Sequence, residues 1–360
     1  MLPGSAGNSM SLEVYRNKSV MITGNTGFKG RWLTCWLNIL GSCVSGFSID
    51  NSKSDFSYIR KNFSAPNVDD FRGDIRDSKS IADALLKAKP EIIFHMAAQS
   101  LVRHSYQFPK ETWDTNVSGT VNLLEAAMEC PSVRAVIVVT TDKCYRNREW
   151  NRGYTEDDEL GGNDPYSASK AATELVVSSY RHSFKSRKIP ILLASVRAGN
   201  VIGGGDWSSA RLFPDVVRSV KKEQPLIIRN PNATRPWQHV LDCLRGYLML
   251  GGHLLLDKAE FASAWNFGPD IADNKSVTEV LNAIKYLWPC VEWEISPDDC
   301  MHESQLLYLD SSKANDLLGW KTLLQFNDAI AYTADWYDNF FNFQNDIIYE
   351  QIKKYSTEIR

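Results

Sequence analysis

The sequence predicts an α/β fold: a doubly wound, mostly parallel Rossmann-type sheet with a smaller C-terminal substrate-binding lobe. Three observations predict it. Short apolar runs alternate with helical patterns up to about residue 199. The runs are apolar nearly throughout, as in strands covered on both faces. The first run also leads through regularly spaced glycines into an amphipathic segment, a join where a dinucleotide pyrophosphate can rest on helix N-terminal N–H groups.

The strand runs, in order, are Ser19–Thr23, Val44–Ile49, Glu91–Ala97, Ala135–Thr140 and Ile191–Val196. Ser19–Thr23 is short, apolar and β-branched. Gly24, Gly27 and Gly30 follow it. Leu33, Trp36, Leu37 and Leu40 then recur at helical intervals from Arg31 until Gly41 stops the pattern. Further helical patterns cover Ile81–Ala88, Val117–Glu129 and Ala171–Phe184. In such sheets ligands bind beyond the carboxyl ends of the strands. Gly24, Ala97-Ala98-Gln99, Thr141-Asp142-Lys143 and Gly199-Asn200 all fall there, which points to a single site.

The expected layout is a flexible extension over 1–17, a dinucleotide-binding domain with the catalytic residues over 18–199, a mostly substrate-binding lobe over 200–340, and a peripheral helical tail over 341–360. Beyond Asn200 the texture changes to Gly-, Pro-, Asn- and Trp-rich loops such as Gly203–Trp207 and Asn230–Trp237. The acidic run Glu156–Glu159 is expected to be a solvated loop.

Hydrophobic content of 43% and charged content of 23% are those of an ordinary globular protein. Net charge is −3 with Lys and Arg scattered, which excludes a nucleic-acid footprint. No apolar stretch reaches membrane-spanning length, and Met1–Met10 lacks the apolar core of a secretory signal. Seven cysteines without CxxC pairing predict reduced thiols and a cytoplasmic location. No His/Cys/carboxylate spacing suggests a metal; His95, in a strand, and His239, beside Trp237, are expected to be structural or substrate contacts.

The string Asp164-Pro165-Tyr166-Ser167-Ala168-Ser169-Lys170 places a phenol and an ammonium four residues apart at a helix start. Positions i and i+4 share a helix face. An adjacent ammonium lowers a phenol pKa from its ordinary ~10 toward the range useful for a general base.

Together, the glycine turn, the Tyr166/Lys170 pair, Ala97-Ala98, Thr115-Asn116-Val117 and Thr140-Thr141-Asp142 resemble an extended short-chain dehydrogenase/reductase over about Lys18 to Trp320. Within that superfamily the chain is similar to the nucleotide-sugar 4,6-dehydratases, most nearly those acting on CDP-glucose. The strings Ala97–Arg103, Thr141–Tyr145, Arg197–Asp206 and Arg235–Val240 carry this finer likeness.

The resemblance implies NAD as cofactor, held by Gly24, Asn25, Thr26, Gly27, Phe28, Gly30, Ser48, Asp74, Ile75, Ala97, Ala98, Gln99, Asn116, Tyr166 and Lys170. It implies CDP-glucose as substrate, held by Ser100, Arg103, Asn200, Arg211 and Arg235, and a homo-oligomer, dimer or tetramer. The implied reaction oxidises the sugar at C4, removes water across C5–C6 and returns the hydride to C6. Tyr166 takes the 4-hydroxyl proton, Lys170 supports the phenolate, Thr141 bonds the 4-oxygen and Asp142 protonates the leaving hydroxyl.

The chain departs from the thymidine-nucleotide relatives at Lys143, where they carry a glutamate base. Lys143 is either a neutral base toward C5 or a cation stabilising the enolate. At the ribose position Ser48 replaces the usual acid; Asp50 lies two residues on, with Lys53 near. The alternatives on the same fold are another NAD-dependent nucleotide-sugar enzyme, either a 4-epimerase or a dehydratase acting on a different nucleotide, and, after these, a non-catalytic dinucleotide-binding regulator.

Overall fold

Seven short strands share one sheet, and its five central strands alternate their side chains between two apolar layers. The computed structural model describes residues 12–49, 68–296, 306–343 and 347–358. The strands are β1 (Ser19–Thr23), β2 (Cys43–Ser48), β3 (Val68–Arg72), β4 (Ile92–His95), β5 (Ala135–Val139), β6 (Leu192–Arg197) and, later in the chain, β10 (Ala264–Asn266). They lie in the order β10-β6-β5-β4-β1-β2-β3, every pair parallel.

Val20, Ile22, Phe94, Ile137 and Val196 face one layer, with the helices Phe28–Ile39 and Val240–Leu255. Met21, Ile93, Val136, Val138 and Leu193 face the other, with Ser78–Ala88, Gly119–Met128 and Pro165–Arg187. Successive residues point to opposite faces and both faces are dry, which is why the sequence runs are continuously apolar. Burying such side chains stabilises by roughly 1.5–3 kcal/mol each.

The chain runs outward from β1 to β2 and β3, then returns to β4 on the other side of β1. This reversal opens a crevice beyond the carboxyl ends of β1 and β4, where Thr23 and His95 are paired. The edge strands β3 and β10 escape the sequence pattern. β3 carries Asp69, Asp70 and Arg72 on a solvent edge, and β10 is three residues long.

A smaller layer holds the three-stranded sheet β11-β9-β7, formed by β7 (Asn200–Ile202), β9 (Thr234–His239) and β11 (Asn274–Ser276). A two-stranded sheet pairs β8 (Leu226–Ile228) with β12 (Trp293–Ile295). Gly204 lets this layer close on the first. A Cβ there would lie 1.9 Å from Trp336 Cγ, and its carbonyl accepts from Trp32 Nε1 at 2.9 Å.

Three packing expectations are corrected. Within the expected loose extension, Leu12–Tyr15 forms a 3-10 turn whose buried Tyr15 donates its hydroxyl to Leu248 O at 2.8 Å; residues 1–11 lie outside the described residues. The tail helix Ile348–Glu358 is not peripheral. Ile348, Ile352 and Tyr355 are buried, and the Tyr355 ring meets Trp36 edge-on at 5.6 Å while its hydroxyl donates to Asp242 Oδ1 at 2.6 Å. Glu156 is not simply solvated, because its Oε1 accepts from Asn266 N at 2.8 Å on β10.

Candidate active site

The glycine turn is dictated by close approach. Gly24 has φ +75°, and a Cβ there would lie 2.8 Å from Ala97 N. A Cβ on Gly30 would lie 2.1 Å from Gly24 O. Gly27 is the N-cap of Phe28–Ile39 and supplies no side-chain cap to its first-turn N–H groups. Across the turn, Asn25 lies over Gly46 of β2, where a Cβ would sit 2.1 Å from Asn25 Nδ2. A glycine inside a strand signals such an approach, and Gly46 could have been found on that ground.

Ser48 ends β2 beside the turn. Its hydroxyl donates to Asn25 Oδ1 at 2.6 Å and accepts from Thr26 N at 3.4 Å, so it braces the turn. Asp50 and Lys53 lie outside the described residues. Asp74 grips Arg76, whose hydrogen bond holds the carboxyl below its ordinary range. Ile75 is buried against Gly119, where a Cβ would come within 2.7 Å of Ile75 Cγ2.

The wall Ala97-Ala98-Gln99 is held by a buried polar chain that sequence reasoning missed. Thr120 Oγ1 donates to Asn116 O at 2.7 Å, so it can only accept from His95 Nε2 at 3.1 Å. His95 Nδ1 then accepts from Thr23 Oγ1 at 2.7 Å, and Thr23 Oγ1 itself accepts from Met96 N and Ala97 N. Burial, followed by the Lys170 charge, pushes His95 down to about 3, so it stays neutral in this one tautomer. Asn116 sits in a π-helical turn, Asp114–Ser118, a deviation frequent at functional sites. Its amide bonds both backbone groups of Gln99, at 2.8 and 3.0 Å, and donates to Ser169 Oγ at 2.9 Å. It thereby clamps the wall to the Tyr166 helix.

Strands β5 and β6 set the charged side. Thr140 N donates to Val196 O at 2.8 Å and Asp142 N to Ala198 O at 3.0 Å. The 3-10 turn Asp142–Cys144 follows. Gly199 makes room for the carboxyl, since a Cβ there would lie 3.2 Å from Asp142 Oδ2. Thr141 Oγ1 donates to Asp142 Oδ1 at 2.8 Å and is also hydrogen-bonded to the Tyr166 phenol. Burial raises the Asp142 pKa against the opposing pull of Lys143, Thr141 and Arg235. Half-buried Lys143 donates its backbone N–H to Thr141 Oγ1 at 3.3 Å, and its charge draws the Asp142 pKa down.

Asp164 caps the Pro165–Arg187 helix by accepting from Ser167 N at 2.9 Å. Tyr166 N donates to Ser105 Oγ at 3.1 Å. Here one expectation is corrected: the phenol pKa is not lowered. Burial pushes it up to about 12, with the Thr141 bond and the Arg211 charge only partly offsetting this. Lys170 donates instead to Val139 O at 3.0 Å, and burial brings it down to about 8.

From the smaller layer, Arg235 on β9 faces Asp142, and Arg211 faces Tyr166 while pairing with Asp206 at 3.0 Å. Asn200 begins β7 opposite Trp237. Ser100 is exposed beside Gln99, and Arg103 is half-buried on Val102–Gln107. The glycine turn, the wall and the Thr141/Asp142/Tyr166/Lys170 group therefore gather at the carboxyl ends of β1, β4, β5 and β6, with the charges of Arg235 and Arg211 acting on Asp142 and Tyr166.

The sequence profile of the GDP-mannose 4,6 dehydratase family matches residues 21–333. A CDP-glucose 4,6-dehydratase of Salmonella typhimurium is 44% identical over 330 residues, 90% of this chain and 91% of that protein. A dTDP-glucose 4,6-dehydratase of Xanthomonas campestris is 28% identical over 74% of this chain and 78% of its own length. Among solved structures, a Streptomyces venezuelae dTDP-glucose 4,6-dehydratase with NAD and TYD bound superposes with a TM-score of 0.74 at 25% identity, covering 89% of this chain and 97% of that one. An epimerase from Methanothermobacter thermautotrophicus shares the fold, with a TM-score of 0.80 at 22% identity over 95% of this chain and 96% of that one. The protein belongs to the GDP-mannose 4,6 dehydratase family, on an extended short-chain dehydrogenase/reductase fold.

Proposed function

We propose that the protein is a CDP-glucose 4,6-dehydratase that converts CDP-D-glucose to CDP-4-keto-6-deoxy-D-glucose. The observation that carries this reading is the buried Asp142 carboxyl, its pKa raised, joined through Thr141 to Tyr166. Loss of water needs an acid beside the base, and a carboxyl whose pKa is raised by burial gains proton affinity for that role. A 4-epimerase or a binding-only regulator leaves Asp142 without a use.

The turn Gly24-Asn25-Thr26-Gly27-Phe28-Gly30 fits NAD, because it brings bare backbone N–H groups to a helix start that any Cβ at Gly24 or Gly30 would obstruct. Ala97, Ala98, Gln99 and Asn116 form the adjoining wall, and Ser48, Asp74 and Ile75 the β2–β3 side. The chemistry the cofactor supplies when bound is hydride acceptance from C4 and hydride return to C6. Tyr166 takes the proton from the 4-hydroxyl, with Arg211 and Thr141 favouring the phenolate. Lys170 holds a positive charge beside the same site. Asp142 gives its proton to the departing 6-hydroxyl. Lys143 stands beside it as the C5 base or as the enolate's counter-charge. Ser100, Arg103, Asn200, Arg211 and Arg235 line the way to the substrate diphosphate, which guanidinium groups bind bidentately.

Exposed Tyr106, Phe108, Trp113 and Leu175, along Val102–Trp113 and the Tyr166 helix, support a homo-oligomer through that face, which sedimentation would measure. Among the described residues the cysteines are free, which fits a cytoplasmic location, and no helix is long and apolar enough to cross a membrane. Incubation with CDP-glucose and NAD tests the reaction: the expected product is lighter by one water, and an isomer of unchanged mass contradicts it.

A further inference from the structure

Behind the catalytic groups lies a buried ion pair that the proposed chemistry does not use. Glu174 follows Lys170 by one helical turn and Tyr166 by two, on the same helix face. It is 3% exposed. Its carboxylate accepts from Thr140 Oγ1, from Ser195 Oγ at 2.7 Å and from Arg197 Nη2 at 2.8 Å. Arg197, at the end of β6, spends its other terminal nitrogen on Tyr145 Oη at 2.5 Å and Glu156 O at 3.2 Å. Tyr145 passes the chain on to Asn266 Oδ1 at 2.8 Å.

Replacing a buried ion pair by apolar side chains is often neutral or stabilising. A pair in this position therefore needs a reason besides stability. We infer that Glu174 is a positioning residue for the proposed reaction: a buried counter-charge, one turn beyond Lys170, that keeps Lys170 an ammonium in a dry site.

The charges around both groups agree. Lys170 is faced by Glu174 on its own helix, Lys29 from the first helix, Cys144 from the 3-10 turn and His95 from β4. Burial brings Lys170 down to about 8, Lys29 adds to the fall, and Glu174 is the largest opposing influence. Glu174 is faced by Arg197 from β6, by the Thr140 and Ser195 hydroxyls, and by Arg181 and Lys170 on its own helix. Burial pushes the Glu174 pKa up, but Arg197 and the three hydrogen bonds outweigh this, so the carboxyl stays ionised. Arg197 thus holds the charge on Glu174, and Glu174 holds the charge on Lys170.

This rests on the reading of Lys170 as part of the catalytic group, so the test reads the lysine directly. Competitive labelling with fluorodinitrobenzene across pH, followed by peptide mass spectrometry, gives the Lys170 pKa without turnover. Glu174→Gln is expected to lower it by about one unit or more, and the basic limb of kcat/KM on CDP-glucose should move by the same amount. Glu174→Asp keeps the charge and should leave both near their original positions. The double variant Glu174→Gln/Arg197→Met removes both charges and should lower the Lys170 pKa in the same direction but by less, because the lost guanidinium also repelled the ammonium, and it keeps the test open if Glu174→Gln alone does not fold. An unmoved Lys170 pKa in either folded variant overturns the inference, as does an equal shift in Glu174→Asp. Failure of the dehydratase reading shows instead as a wild-type protein without turnover.

Discussion

On the β1–β2 side of the crevice the site is made of backbone and small residues; on the β5–β6 side it is made of buried charge. The first side depends on distances no Cβ could share: Gly24 against Ala97, Gly30 against Gly24, Gly46 against Asn25. Around the turn its side-chain contacts, Ser48 to Asn25 and Asn116 to Gln99, are neutral hydrogen bonds, and its ion pair, Asp74 with Arg76, lies at the exposed rim. The second side gathers Asp142, Lys170, Glu174 and Arg197, each less than a tenth exposed. Burial there moves Asp142 up and Lys170 down, each toward its uncharged form. The contrast teaches that binding a cofactor is a problem of shape and moving protons is a problem of desolvation. Substitutions on the two sides should therefore fail in different observables.

The largest effect belongs to the charged side. Tyr166→Phe removes the phenol proposed to take the 4-hydroxyl proton, and kcat should fall by roughly 10²–10⁴-fold with little change in thermal midpoint. A variant retaining a tenth of the wild-type rate breaks the assignment. Asp142→Asn should slow dehydration by about 10²-fold while leaving C4 oxidation intact. Stopped-flow single turnovers should then show reduced-cofactor absorbance building up; equal loss of both steps would make Asp142 a positioning group.

Gly30→Ala tests the steric side. The added methyl would lie 2.1 Å from Gly24 O, so the turn must open. Overpacking of this kind costs about 1–3 kcal/mol, and calorimetry should find it as weakened NAD affinity, with the pH profile unchanged. A shifted pH profile would dissolve the distinction between the two sides.

The smallest effect is one of pH. Burial sets Lys170 to about 8, so its ammonium is complete below that pH and is lost as pH rises through it. A step that needs the cation therefore falls about tenfold per unit above pH 8, with no such limb for cofactor affinity in Gly30→Ala. A profile flat to pH 10 would remove Lys170 from the charged side.

The same division explains what the sequence discloses. The glycine spacing and the apolar runs Ser19–Thr23 and Ala135–Thr140 show through because steric and hydrophobic demands act on neighbours in the chain. The structure ends β5 one residue earlier at Val139, shifts Val44–Ile49 and Ile191–Val196 by one residue to Cys43–Ser48 and Leu192–Arg197, shortens Glu91–Ala97 to Ile92–His95, and adds β3, polar on a solvent edge, and β10, too short to carry a period. Tyr166 and Lys170 are legible as a helical pair, but the direction of their pKa shifts is not, because burial is decided by residues far away. Thr23, His95 and Thr120 meet across 72 and 25 positions, and Thr140, Glu174 and Ser195 across 34 and 21, with no local pattern to announce them. Ser48 is legible as a departure from the expected acid; its bond to Asn25 is visible only in three dimensions.

The central claim is that one crevice oxidises C4, eliminates water and delivers the same hydride to C6. CDP-glucose carrying deuterium at C4 tests it most directly, with the product position read by NMR. The expected product is lighter by one water and carries the deuterium at C6. Deuterium back at C4 of an epimerised sugar, or exchanged into solvent, would contradict it.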